Sequence, residues 1–108
     1  MKFNVFTIPP FDRQIKRMVK KYPSLKKEYA TLIDTLEQKP TSGTSIGNNC
    51  YKIRMAIASK GKGKSGGARV VSYLQVKKNS VFLLSIYDKA ELESISDKEL
   101  ASLLALIP

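Results

Sequence analysis

The chain has no histidine, no tryptophan and a single cysteine, Cys50, and not one acidic residue lies between Gln38 and Tyr87. Without histidine, and with Cys50 opening a β-prone run that holds no basic partner motif, neither a Ser-His-Asp nor a Cys-His nucleophile can be assembled. Metal clusters built on His and Cys are missing for the same reason. One cysteine allows no intrachain disulfide. The start, MKFNVFTIPP, has neither the basic opening nor the long apolar stretch of a secretory signal. The longest apolar runs, 81–86 and 103–107, are far shorter than the roughly 20 residues of a membrane helix. A cytoplasmic protein with no membrane association is expected, and 108 residues suit one domain spanning 1–108.

What the chain has in excess is positive charge: 19 Lys and Arg against 9 Asp and Glu, a net +10. The acid-free middle carries nine bases, Lys39, Lys52, Arg54, Lys60, Lys62, Lys64, Arg69, Lys77 and Lys78. Such a block favours a polyanion through phosphate contacts and counterion release. The plainer alternative is a solvated surface that keeps the protein soluble. The acids Glu91, Glu93, Asp97 and Glu99 gather around a helix start, where the dipole accounts for them, and no catalytic carboxylate pair is assigned there.

Residues 2–8 are β-prone and stop at Pro9-Pro10, which cannot continue a central strand. Phe11, Ile15, Met18, Val19 and Tyr22 then line one helical face, with Arg13, Lys16, Arg17, Lys20 and Lys21 on the other. After Pro23-Ser24, with Ser24 as N-cap, Leu25, Tyr29, Leu32, Ile33 and Leu36 repeat the spacing up to Pro40. These apolar stripes are core. The small polar run 41–49 reads as a loop. From Tyr51 to Ala58 the period becomes two, with apolar Tyr51, Ile53, Met55 and Ile57 alternating with Lys52 and Arg54. A second alternating run covers 69–76. A turn at 77–80 leads to the apolar run 81–87, as expected for a strand covered on both faces. Ser96-Asp97-Lys98-Glu99 is a capping box before a short amphipathic helix. The order β, α, α, β, β, β, α predicts an α+β fold: an N-terminal strand and helical hairpin packed on a mainly antiparallel four-stranded sheet, with a short C-terminal helix. The hairpin covers one face and leaves part of the other open.

The run Gly61-Lys62-Gly63-Lys64-Ser65-Gly66 formally matches a dinucleotide fingerprint, and Gly63-Lys64-Ser65 the end of a P-loop. Context rejects both: a strand rather than a helix follows, and Ala58 stands where a P-loop needs its first glycine. The loop reads better as a hairpin connection whose Lys60, Lys62 and Lys64 lie against a phosphate backbone, or else as a solvated linker. Tyr73, Lys77 and Lys78 are further candidates for RNA contact. Strand parity allows Lys52, Arg54, Arg69, Tyr73, Tyr87 and Lys89 to share one surface. An RNA phosphodiester carries its own nucleophile, the 2′-OH, so cleavage needs only a base, stabilisation of the phosphorane and help for the leaving 5′-oxygen. A lysine in a crowded, partly buried cationic site can supply the base, with no metal and no cofactor, and Lys52 is the candidate.

The stretches Cys50-Tyr51-Lys52-Ile53-Arg54, Ala58 through Tyr73, and Phe82-Leu83-Leu84-Ser85-Ile86-Tyr87-Asp88-Lys89 together resemble the HigB-type branch of the RelE/ParE toxin superfamily. That resemblance implies a RelE-like fold and a ribosome-dependent mRNA endonuclease, the toxin of a type II toxin-antitoxin system. It implies a cognate antitoxin, commonly a helix-turn-helix protein encoded adjacently, with the complex binding operator DNA. By the same resemblance Lys52 and Arg54 match the strand positions supplying base and phosphate contacts, and Arg69 the arginine that stabilises the transition state. Lys89 lies near a further catalytic arginine, which lysine replaces here. The family's late catalytic tyrosine falls near Ile95, so Tyr87 or Tyr73 would substitute, or the acid comes from elsewhere. Two other readings stand beside this one: a ParE-like gyrase-inhibiting toxin of the same fold, and a non-catalytic module that docks on RNA or the ribosome.

Overall fold

A computed structural model describes residues 2–61 and 66–108. Its elements are β1 (Asn4–Thr7), α1 (Pro9–Lys21), α2 (Leu25–Gln38), β2 (Thr44–Gly47), β3 (Cys50–Met55), β4 (Ala68–Gln75), β5 (Ser80–Asp88) and α3 (Asp97–Leu104). The strands form one sheet in the order β1-β5-β4-β3-β2, with β1 parallel to β5 and every other pairing antiparallel.

Pro9 and Pro10 end β1 and also start α1, occupying its first positions, where a missing N–H costs nothing. The helix therefore begins two residues earlier than the apolar spacing from Phe11 suggests. Its buried residues Phe11 and Met18, with Leu25, Leu32 and Leu36 of α2, meet Ile53, Met55 and Val70 of the sheet in one hydrophobic core. Phe11 also lies against Tyr29, ring centroids 5.8 Å apart, which joins the two helices. Ser24 stands at the N-cap of α2 but does not cap it. Its hydroxyl accepts instead from the Ser59 amide at 2.8 Å, and its own amide donates to the Ser59 hydroxyl at 2.8 Å, fastening the helical turn to the end of the β3 segment. Ser96 does cap α3, accepting from the Glu99 amide at 3.1 Å.

The sheet has five strands where four were expected. The run at 44–47, read as loop, pairs with β3 through a tight turn at Asn48 and Asn49, whose φ values of 55° and 60° are both left-handed. Two such residues make the mirror-image turn that matches strand twist, and asparagine is among the few side chains that tolerate it. The signal was present in the Asn-Asn pair and masked by the small polar residues of an exposed edge strand. Every residue of β5 is buried, as the unbroken apolar run anticipated. An irregularity in the β4–β5 ladder, where Val71 opposes Ser85 but Ser72 opposes Leu83, inserts Leu84 as an extra residue and keeps both halves of β5 in phase with β4.

Gly67 sits where the chain re-enters the sheet, and a Cβ there would lie 2.1 Å from the Met55 carbonyl oxygen and 3.0 Å from the Ala56 Cα. Backbone cannot yield that much. Gly67→Ala should lower unfolding free energy by about 2 kcal/mol. Gly61→Ala, at φ +73° with open space around it, should cost about 1 kcal/mol from backbone strain alone. Urea midpoints of the two variants check the order.

Candidate functional site

Three neighbouring strands align the central residues of the site. Arg54 on β3 pairs with Arg69 on β4, and Arg69 pairs with Tyr87 on β5, so the three form one row across the sheet, about 10 Å long at ordinary strand spacing. One step along the same face the next row is Lys52, Val71 and Ser85. Alternation along β3 forces this arrangement: Ile53 and Met55 point into the core, so Lys52 and Arg54 cannot.

Burial separates the members of the row. Arg54 is exposed and Lys52 half-buried, whereas Arg69 is 4% exposed and Tyr87 8%. The open cationic face expected from alternation is therefore partly covered, because the chain after β5 returns across it into α3. Arg69 donates from Nη1 to the Ala68 carbonyl at 3.1 Å. The Tyr87 hydroxyl is buried, with no partner in close hydrogen-bond geometry among the described residues and the Ser94 side chain as its polar neighbour. Burial raises the Tyr87 phenol above its ordinary value, against the opposing pull of the Arg69 charge and of the Ser94 side chain beside it. It therefore stays protonated at neutral pH and has a proton to give.

Around the row are two cavities. One, of about 690 Å³, runs between α2 and the edge of β3 and is lined by Lys52 and Arg54 together with Thr31, Leu32, Thr35 and Met55. The other, of about 500 Å³, is lined by Arg17 and Lys21 of α1, Ser85, Tyr87 and Asp88 of β5, and Glu99 of α3.

The remaining sequence candidates are not gathered here. Lys89 follows β5 at the correct end of the sheet, its amide bonded to the Gly67 carbonyl at 3.0 Å and its ammonium 3.6 Å from the exposed Glu93. Tyr73 shares the face but lies four residues along β4, beside Asn48, Leu104 and Ile107. Lys77 and Lys78 sit in a short 3₁₀ turn beyond the far end of β4, roughly 25 Å from Arg69 along the strand. Lys62 and Lys64 fall outside the described residues. Lys60, expected to face phosphate, is turned inward: its side chain is 12% exposed, it donates to the Gly66 carbonyl at 2.7 Å, and it pairs with Asp88, 4% exposed. A cation held by a buried carboxylate is not available to RNA.

This fold and family have counterparts. The family model described as the RelE toxin of the RelE/RelB toxin-antitoxin system matches residues 11–107. The chain belongs to the RelE toxin family. Two solved structures of the E. coli toxin RelE share its fold. One is a free-state mutant with two arginines replaced by alanine, at 17% identity, TM-score 0.64 and full coverage of both chains. The other is the isolated toxin, at 18% identity and TM-score 0.55, covering 97% of this chain and 99% of that one. Membership in the RelE family makes this chain the toxin of a toxin-antitoxin pair, with an antitoxin as partner.

In this RelE-family toxin the residue that alternation and composition did not single out is Asp88. It accepts from the Tyr22 hydroxyl at 2.6 Å and the Ala90 amide at 2.9 Å, besides its pairing with Lys60. An acid closing a nine-residue apolar strand was the available signal. Burial by itself would raise its pKa, but Lys60, Tyr22 and the Ala90 amide outweigh burial and bring it down to about 2. Because the folded value lies below the ordinary value near 3.9, the stabilisation is complete above that value and is lost as pH falls towards 2. Asp88→Asn should cost about 3 kcal/mol at pH 7, since it leaves Lys60 buried without its counter-charge. The gap between variant and wild type in urea unfolding should narrow steadily from pH 5 to pH 2; a constant gap would count against this role.

Proposed function

We propose that this toxin is a ribosome-dependent mRNA endonuclease of HigB type, cleaving by attack of the RNA 2′-OH without a metal or cofactor. The observation that carries the reading is the row Arg54–Arg69–Tyr87 with Lys52 one step away, on a single face of three hydrogen-bonded strands. In the step itself, Lys52 takes the proton from the 2′-OH and the 2′-oxygen attacks the adjacent phosphorus. The bond from phosphorus to the 5′-oxygen breaks, leaving a 2′,3′-cyclic phosphate and a 5′-OH. Arg54 and Arg69 neutralise the charge that builds on the phosphorane oxygens, where fixed cations in a site of reduced dielectric are most effective. The Tyr87 hydroxyl, kept protonated by its burial, supplies the proton to the leaving oxygen. Lys89 adds positive charge at the same end of the sheet. Since Arg69 and Tyr87 are buried, the reading requires that the connection at 89–96 yields when RNA enters.

On this reading the antitoxin is a helix-turn-helix protein encoded beside the toxin, their complex binds operator DNA, and the toxin works in the cytoplasm. No helix among the described residues is long and apolar enough to cross a membrane.

Primer extension on translated mRNA should show cuts within codons for wild type. Arg69→Ala should reduce cutting at least about 100-fold, the usual cost of one transition-state contact, and should relieve growth arrest while the variant remains folded. Wild type that leaves mRNA intact on ribosomes rejects the proposal: DNA breaks would then point to a gyrase-directed toxin, and ribosome binding alone to a non-catalytic module.

A further inference from the structure

The larger cavity, between α2 and the edge of β3, has walls of two kinds. On the sheet side are Lys52 and Arg54, and on the helix side are Thr31 and Thr35 of α2. Both threonines are exposed and one helical turn apart, at positions where β-branching lowers helix propensity and no core contact compensates. Each hydroxyl gives its hydrogen to the helix itself, Thr31 to the Lys27 carbonyl at 3.2 Å and Thr35 to the Thr31 carbonyl at 3.0 Å. Ser42, which also lines the groove, donates in the same way to the Lys39 carbonyl at 2.7 Å. A hydroxyl whose hydrogen is committed presents only lone pairs to a ligand. Glu28 adds a carboxylate to the same side, accepting from the Ala58 amide at 2.7 Å and from the Ser24 hydroxyl at 3.2 Å. The helix side therefore accepts hydrogen bonds and the sheet side supplies positive charge, while buried Leu32, Ile53 and Met55 contribute apolar lining.

We propose that this groove holds one base of the substrate strand, beside the phosphate at the row, and that its acceptor wall selects adenine and cytosine, which carry an exocyclic amino group, over uracil. The inference rests on the RNA reading above and extends it to base preference. A nucleotide has its parts in the matching order: phosphate toward Lys52 and Arg54, a flat ring against the apolar lining, an amino edge toward Thr31 and Thr35. Uracil turns a carbonyl oxygen to the same wall, where acceptor meets acceptor and neither is satisfied. A volume of about 690 Å³ lies within the range of small-ligand sites and admits a purine nucleotide. Lys52 and Arg54 belong both to this groove and to the cationic face, so base and phosphate are reached along one path. A peptide strand added to the edge of β3 matches the groove less well. The β2 ladder runs along β3 as far as Lys52, and Gly43 closes on that end, where a Cβ would lie 2.6 Å from the Lys52 carbonyl oxygen. Among the described residues only Ile53 to Ala56 keep a bare outer edge. Alternate residues of a strand face outward, so about two of them could pair with a peptide.

The test follows backbone amide shifts of the isotope-labelled toxin by NMR, so that binding is read without cleavage. The probes are AMP, CMP, UMP and the 5′-monophosphate of purine riboside, which is adenosine without its amino group, each added to millimolar concentration. AMP and CMP should move the amides of 31–35 and 42–44 and bind about fivefold more tightly than UMP, the effect of one net hydrogen bond. Purine riboside monophosphate should bind as UMP does. T31V/T35V preserves side-chain shape and removes both acceptors, and should bring AMP to the level of UMP. UMP binding as tightly as AMP overturns the proposal, as does a preference that survives in the folded double variant. Nucleotide shifts confined to the face of Arg69 and Tyr87 overturn it too. A glutamate-rich hexapeptide that moves the amides of 53–56 when no nucleotide does would make the groove a peptide site, which also overturns it. Wild type that binds with the expected preference yet leaves translated mRNA intact sinks the nuclease reading and leaves the groove standing. Wild type that cuts mRNA but binds all four nucleotides equally sinks the groove alone.

Discussion

A carboxylate at the end of a strand covered on every side has to bring its counter-charge into the interior with it, because an isolated buried ion costs several kcal/mol. Asp88 is that carboxylate, and much of the site's surroundings follow from satisfying it. Lys60 enters from one end of the glycine-rich connection and also bonds the Gly66 carbonyl at the other, so the two ends are held together. Tyr22 enters from the C-terminal end of α1 and ties the helical hairpin to the last residue of β5. The close approach of Gly67 to the Met55 carbonyl completes the junction. With these in place β3, β4 and β5 reach the same end of the sheet in a defined register, and Arg54, Arg69 and Tyr87 fall into line.

The same junction sorts the positive charges by task. Lys60 is spent on the interior. Arg69 and Tyr87 are embedded in the sheet face, where a fixed, desolvated cation acts strongly on a phosphate. Lys52 and Arg54 are reachable from the groove beside α2, and the α1 cations Arg13, Lys16, Arg17 and Lys20 are exposed at the surface. One acid-poor sequence thus yields cations at three depths, and only the outer ones should respond steeply to salt.

Much of this fold was legible from local patterns, since they report on the backbone directly. The helical stripes gave α1 and α2, the capping box gave α3, and the change from a period near four to a period of two located β3. The same alternation put Lys52 and Arg54 on the face opposite Ile53 and Met55, and parity placed Arg69, Tyr73 and Tyr87 with them. β2 was missed because an exposed edge strand needs no apolar face, and its marker, the Asn48-Asn49 turn, resembles ordinary loop composition. The role of Lys60 was missed for a different reason: a lysine beside glycines looks solvated until the carboxylate 28 residues away is known to be buried against it.

By itself the sequence determined the α+β class, the order of every element but β2, the family resemblance and the excess of positive charge, because each rests on residues close together in the chain. Tertiary structure decided which cations are open to solvent and which are spent inside, that Arg69 and Tyr87 lie beneath the surface, and that Lys77 and Lys78 stand beyond the opposite end of β4 from Arg69. Those outcomes depend on strand register and on which distant segments cover a face. Both are set by pairing between residues far apart in sequence, which no local pattern encodes.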